Sequence, residues 1–440
     1  MVKAWEVRTG ATVTIARETM TSADDSDLGI IPTNDLGAWA EPGLLSPVPP
    51  KLRASDNPFQ WFGLLPAYGE RLVEWGGQTQ AIPLTSDGFV IVYRADRFAD
   101  KTAEEEFQKQ YKHALTAPAT WEEFADVAEF FAKRDKTPSL PPLPADPEGM
   151  FDLFCRVAAS ADRRAFNDVE LTSRTARDRD ALAFQVSTTT GKPRLNSFGF
   201  QYAAQWLDRL QTAKAIPAVP PGGLADPIPA LADGRAVLAV VSLAQLARLP
   251  RENGGVPTRF AISGIPGSGT YPNPDTGKPV IAPSPNYVPY FSGGRLGVVR
   301  TRCPHPEAAF DLLADLGGPA RSAELVSTPG LGAGPVRIAY LDRDHLIVWL
   351  GYALSAERSK ELQDALRHFA GQSVKNPTFE LRGPDRSSLV AAAADPLRKI
   401  GVGLKPNDAL AQAEAAWQAL NAKVPPETLQ AWQRHAAGLK

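Results

Sequence analysis

Three short polar clusters in this chain carry side chains suited to holding a ligand. They are Asn34-Asp35, Ser86-Asp87 within Thr85-Ser86-Asp87-Gly88, and Asn286-Tyr287 followed by Tyr290. Amides, hydroxyls and carboxylates of this kind exchange hydrogen bonds with a polar partner, and a carboxylate accepts two donors at once. Bond-making chemistry lacks its usual patterns. There is no Gly-x-Ser-x-Gly elbow, no GxxxxGK[ST] loop and no His-Glu-x-x-His. Gly264, Gly267 and Gly269 are interrupted by Pro266 with no helix to follow, which argues against a nucleotide loop. His113, His305, His345, His368 and His435 include no pair at metal-ligand spacing, so neither metal nor cofactor is expected. Cys155 and Cys303 are expected as free buried thiols, a disulfide being the alternative. The 49 acidic residues leave open a pair of catalytic carboxylates, but no motif marks one, and the expectation is a binding protein rather than an enzyme.

These clusters need a scaffold larger than one core. At 440 residues the chain is expected to form two α/β lobes. Its net charge of −2, from 47 basic and 49 acidic residues, offers no footprint for nucleic acid or an anionic membrane. No apolar run is long enough to span a bilayer. The 40 prolines fall mainly in connections and predict rigid loops. A monomer is the expected state.

The pattern predicts a helix over Val2–Thr9 closed by Gly10, then a strand over Ala11–Ile15 and another over Asp27–Ile31. Asn34 and Asp35 stand at the end of that strand, where open α/β sheets bind ligands; as the alternative, they cap the helix from Leu36. Phe89–Tyr93 is rich in the aromatic and β-branched residues of a buried strand. Helices are expected over Thr102–Leu115, from Trp121 to Lys133, and over Met150–Ala161, where Phe151, Phe154 and Cys155 share a face. A charged turn over 174–180, a hairpin around Thr190–Pro193, a helix over Phe198–Leu210 and a strand entering Ser242 come next. Helices over 344–354, 359–369 and Asn407–Leu420 complete the reading.

Several phrases resemble the extracellular solute-binding proteins of ABC importers, sugar-binding type. They are Gly43-Leu44-Leu45-x-Pro47, Ile82-Pro83-Leu84-Thr85 before the Phe89 strand, Tyr93-x-x-Asp96-x-Phe98 and Thr120-Trp121-Glu122-Glu123-Phe124. Gly234-Arg235-Ala236-Val237-Leu238, with leucine for the usual methionine, and His305-Pro306-Glu307-Ala308-Ala309 continue the likeness. The resemblance implies the periplasmic-binding protein-like II fold, two α/β lobes with a hinge and a ligand cleft between them. It would assign 1–92 and 285–330 to the first lobe and 93–284 and 331–440 to the second, with crossings near 90–95, 280–293 and 325–340. The implied work is capture of a sugar or oligosaccharide for ABC permease subunits, in the periplasm or outside the cell, with or without a membrane anchor. Relatives carry a signal peptide and a first strand ahead of the opening helix; neither is visible after Met1, which leaves a cytoplasmic protein or a trimmed or misplaced start, and the resemblance favours the second.

On that basis Asn34, Asp35, Ser86, Asp87, Ser242, Asn286, Tyr287, Tyr290 and Arg382 are the expected hydrogen-bonding or stacking contacts, with Phe151 as an apolar surface. Each has a structural alternative. Asp87 before Gly88 is also a turn dipeptide, Phe151 also a core residue, one of the tyrosines also a hinge packer, and Arg382 also a surface ion-pair partner. Two other readings stand beside transport: an orphan or sensory binding protein, and a carbohydrate-active enzyme with two carboxylates facing one cleft.

Overall fold

The computed structural model describes residues 2–16, 25–166, 184–218, 226–273, 275–342, 345, 349, 351–370 and 374–440. The turn expected over 174–180 lies outside the described residues, as does part of the segment 344–354.

Two small antiparallel sheets organise the chain. In the first, Arg295–Val299 lies between Leu28–Pro32 and Ile82–Thr85. In the second, Phe89–Arg94 lies between Leu238–Ser242 and Phe260–Ser263. Both central strands are apolar runs with buried interiors, Leu296, Val298 and Val299 in one and Val90, Ile91 and Val92 in the other. Branched side chains of this kind suit a pleated surface covered by helices. The helix Pro306–Gly317 covers the first sheet closely, since a Cβ on Gly297 would lie 2.6 Å from Leu313 Cδ2. The helix Ala356–Ala370 packs on the second sheet.

Two of the places where the chain passes between the sheets touch each other. Going out, it leaves the first sheet at Thr85 and enters the second at Phe89. Ser86 pins this crossing: its amide donates to Gly334 O at 3.0 Å, and its hydroxyl donates to Pro335 O at 2.7 Å. Coming back, Tyr290–Phe291 pairs with Thr378–Phe379, and the chain then turns through Gly293 and Gly294 into Arg295. Here glycine is required. With φ at +73° and +99°, a Cβ on Gly293 would fall 1.7 Å from Asp87 Oδ2, and one on Gly294 2.4 Å from Thr85 O. Residues 89–92, grouped above with the first lobe, therefore pair in the second sheet.

Ala11–Ile15 forms no strand. Its alternating pattern meets no neighbouring strand among the described residues, and Val13 N donates instead to Glu6 Oε1 at 2.7 Å. The helices around the second sheet match expectation more closely. Trp121–Asp135 opens with a capping box in which Thr120 Oγ1 accepts from Glu123 N at 3.1 Å. Pro147–Asp162 starts at the Asp146 cap and packs between Phe198–Thr212 and Arg386–Arg398. Cys155 and Cys303 are free and buried.

Candidate ligand-binding site

Where the crossings meet, the ends of the strands and the start of the helix Pro147–Asp162 enclose a cavity of about 400 Å³. The first sheet supplies Asn34, just past Leu28–Pro32, and the outward crossing supplies Asp87. The second sheet contributes Phe89, Val240 and Ser242, and the return crossing Tyr290, Ser292 and Gly293. The helix Pro147–Asp162 turns Phe151, Asp152 and Arg156 toward the cavity. From the C-terminal third come Glu380 and Arg386.

Of the residues expected from sequence, Asn34, Asp87, Phe151, Ser242 and Tyr290 line this cavity. Ser242 also caps the short helix Leu243–Leu246, its hydroxyl accepting from Gln245 N at 3.3 Å. Phe151 also packs on Trp417, ring centroids 5.8 Å apart. Asp35 makes no side-chain cap on the helix Leu36–Ala40; burial raises its pKa against the opposing pull of Arg386 and Arg295.

The remaining candidates are engaged elsewhere. Ser86 is bonded into the hinge as described. Asn286 is buried in the second lobe: its amide donates to Ser160 O and Arg163 O, and its carbonyl accepts from Ala165 N. Tyr287 stacks on His368 at 3.9 Å between centroids. Arg382 is buried rather than in a surface ion pair, donating to the carbonyls of Arg71, Leu72, Glu74 and Ala436. Burial lowers its pKa to about 10.

The site residues that sequence reasoning missed are mostly charged. Arg156 is buried on the helix that faces the cavity; it bonds Asp152 Oδ2 and Ser292 Oγ at 2.9 Å each and lies 3.7 Å from the centroid of the Phe89 ring. Arg386 grips Glu148 with both terminal nitrogens. Glu380 lies two residues from Arg382, in an extended segment whose pattern gives no hint that it reaches the cavity.

Two carboxylates are held chiefly by backbone and hydroxyl donors. Asp87 accepts from the Gly294 amide; burial and neighbouring Asp152 push its pKa up to about 6, against the pull of Arg156 and Arg295. Glu380 accepts from the Gly293 amide and the Thr33 hydroxyl, and burial raises its pKa to about 7 despite Arg386. Consecutive amides of one Gly-Gly turn thus fix both acids at the cavity wall. Among the described residues no group of His, Cys, Asp and Glu is arranged to hold a metal ion.

Two α/β sheets joined by touching crossings, with a cavity at the junction, define a two-lobed periplasmic-binding fold built to hold a small solute. The chain belongs to the family of bacterial extracellular solute-binding proteins, whose family model matches residues 6–345. Its fold is that of solved sugar-binding proteins. Maltose-bound MalE3 of T. maritima aligns with a TM-score of 0.60 at 15% identity, covering 95% of this chain and 88% of that one. The cyclic α-maltosyl-1,6-maltose binding protein of Arthrobacter globiformis aligns at 0.61 and 15%, covering 90% and 85%. An ABC transporter solute-binding protein of Agrobacterium vitis, solved with D-mannitol, aligns at 0.57 and 14%, covering 91% and 86%. No curated protein matches significantly.

Proposed function

We propose that this protein is the capture component of an ABC importer. It takes a sugar or oligosaccharide into the cavity at the hinge and presents it to membrane permease subunits, working as a monomer in the periplasm or outside the cell. The observation that carries this reading is the pairing of buried acceptors with apolar faces. Asp87 and Glu380 stand ready for hydroxyl donors, while Phe89, Phe151 and Tyr290 supply ring surfaces in the same cavity. Relatives of the same fold bind maltose and D-mannitol, which supports the choice of ligand class.

Calorimetric titration with a panel of mono- and oligosaccharides and polyols tests the reading. One sugar is expected to bind, and Asp87→Ala to abolish the heat. A well-folded protein silent to the whole panel would remove the sugar assignment. Two carboxylates on one cavity are also what a glycosidase needs. The bound oligosaccharide should therefore be recovered by chromatography after overnight incubation; intact sugar supports capture and hydrolysed sugar refutes it.

A further inference from the structure

The cavity has two unlike sides. One carries Asp87, Asp152, Arg156, Ser292, Glu380 and Arg386. The other is formed by Phe124, Leu140, Leu143, Trp206, Leu210 and Ile216, with three prolines, Pro141, Pro142 and Pro144, from the connection ahead of the helix Pro147–Asp162.

This second side has few donors to offer a hydroxyl. The prolines have no N–H. The amides of Ser139 and Leu140 both donate to Ala215 O at 3.0 Å, and the amide of Ala215 donates to Leu210 O at 2.9 Å. Trp206 Nε1 is spent on Trp121 O at 2.9 Å, and Pro144 O accepts from Arg398. Nor is it a flat stacking platform for a sugar ring. Trp206 and Phe124 pack against each other at 5.7 Å, tilted by 49°, and the rest of the wall is aliphatic or proline. A pyranose hydroxyl left there without a partner would cost about 1–3 kcal/mol. An alkyl or aryl group placed there would lose no hydrogen bond and would gain by leaving water.

We infer that the ligand of this cavity is amphipathic: a sugar head bound by the charged side, joined to an alkyl or aryl group that fills the space beside Pro142, Trp206 and Ile216. The inference rests on the sugar-capture reading and adds to it a specificity for glycosides with an apolar aglycone.

The test titrates the full chain with methyl, butyl and phenyl glycosides of glucose, galactose, xylose and maltose, beside the free sugars. For at least one sugar, the butyl or phenyl glycoside is expected to bind about tenfold tighter or more than its methyl counterpart, the gain that burying a few methylenes gives. Ile216→Thr, and independently Leu143→Thr, each checked for an unchanged melting profile, should shrink that ratio. A wild-type ratio of one or below overturns the amphipathic ligand and leaves sugar capture standing. A large ratio that neither variant reduces places the apolar contact elsewhere and also overturns it. Silence toward free sugars and all glycosides removes both readings together.

Discussion

Asp87 and Glu380 hold their carboxyls in surroundings that favour the protonated form, and this has a measurable sign. Their folded pKa values lie above those of an unfolded chain. Between the ordinary carboxylate range and the folded values, the native state therefore holds more protons than the unfolded one, and stability falls as pH rises. The melting midpoint of the empty protein should carry a contribution that declines from about pH 4.5 to about pH 7 and is flat above. Glu380→Gln should remove part of that slope and melt higher than the parent at about pH 8; a parallel slope in the variant would refute the assignment. Gly293→Ala should destabilise by at least ~1–3 kcal/mol in denaturant titration, because the left-handed backbone and the Asp87 carboxylate both exclude a methyl. Asp87 was legible in sequence because a polar step between two apolar strands marks a crossing. Arg156 and Glu380 were not, because burial of a charge depends on partners distant in the chain, here Ser292 and Thr33.

Among the elements, the capped helices were the most readable. Thr120 and Glu123 announce Trp121–Asp135 through a box that needs only local residues, and Thr120→Ala should cost about 1 kcal/mol by chemical denaturation. Ala11–Ile15 shows the opposite case: alternation predicts a strand, but a strand also needs an edge to pair with, and sequence does not reveal the edge. Arg382 teaches a related lesson. Read as a ligand contact, it instead ties the segment after Thr378–Phe379 to Arg71–Glu74 and to the helix Pro426–Ala436. Arg382→Met should lower stability by roughly 3 kcal/mol, as expected when buried carbonyls lose a charged donor, while leaving sugar affinity within about twofold. A large affinity loss at unchanged stability would return Arg382 to the site.

At the scale of the molecule, the two-lobed design was legible from length and from the phrases around the crossings, whereas the lobe limits were less so. Propensity says that Phe89–Arg94 is a strand, not which sheet it joins. The helix Pro426–Ala436, grouped with the second lobe by position, returns to the hairpin of Glu74–Trp75 and Gln78–Thr79, where Gly76 N donates to His435 O at 3.0 Å. Hinge closure is a known motion of periplasmic binding proteins. Small-angle scattering should therefore show a smaller radius of gyration with bound sugar, and ligand at a hundred times its dissociation constant should add about 2.7 kcal/mol to stability. The place of Trp206 has a practical consequence. Its indole stands on the cavity wall, edge-on to Trp121 with centroids 5.4 Å apart, so an incoming ligand would alter the polarity around a natural fluorophore. A shift in ultraviolet emission on occupancy is therefore expected from unlabelled protein, over the background of the other eight tryptophans, and should shrink in Trp206→Phe.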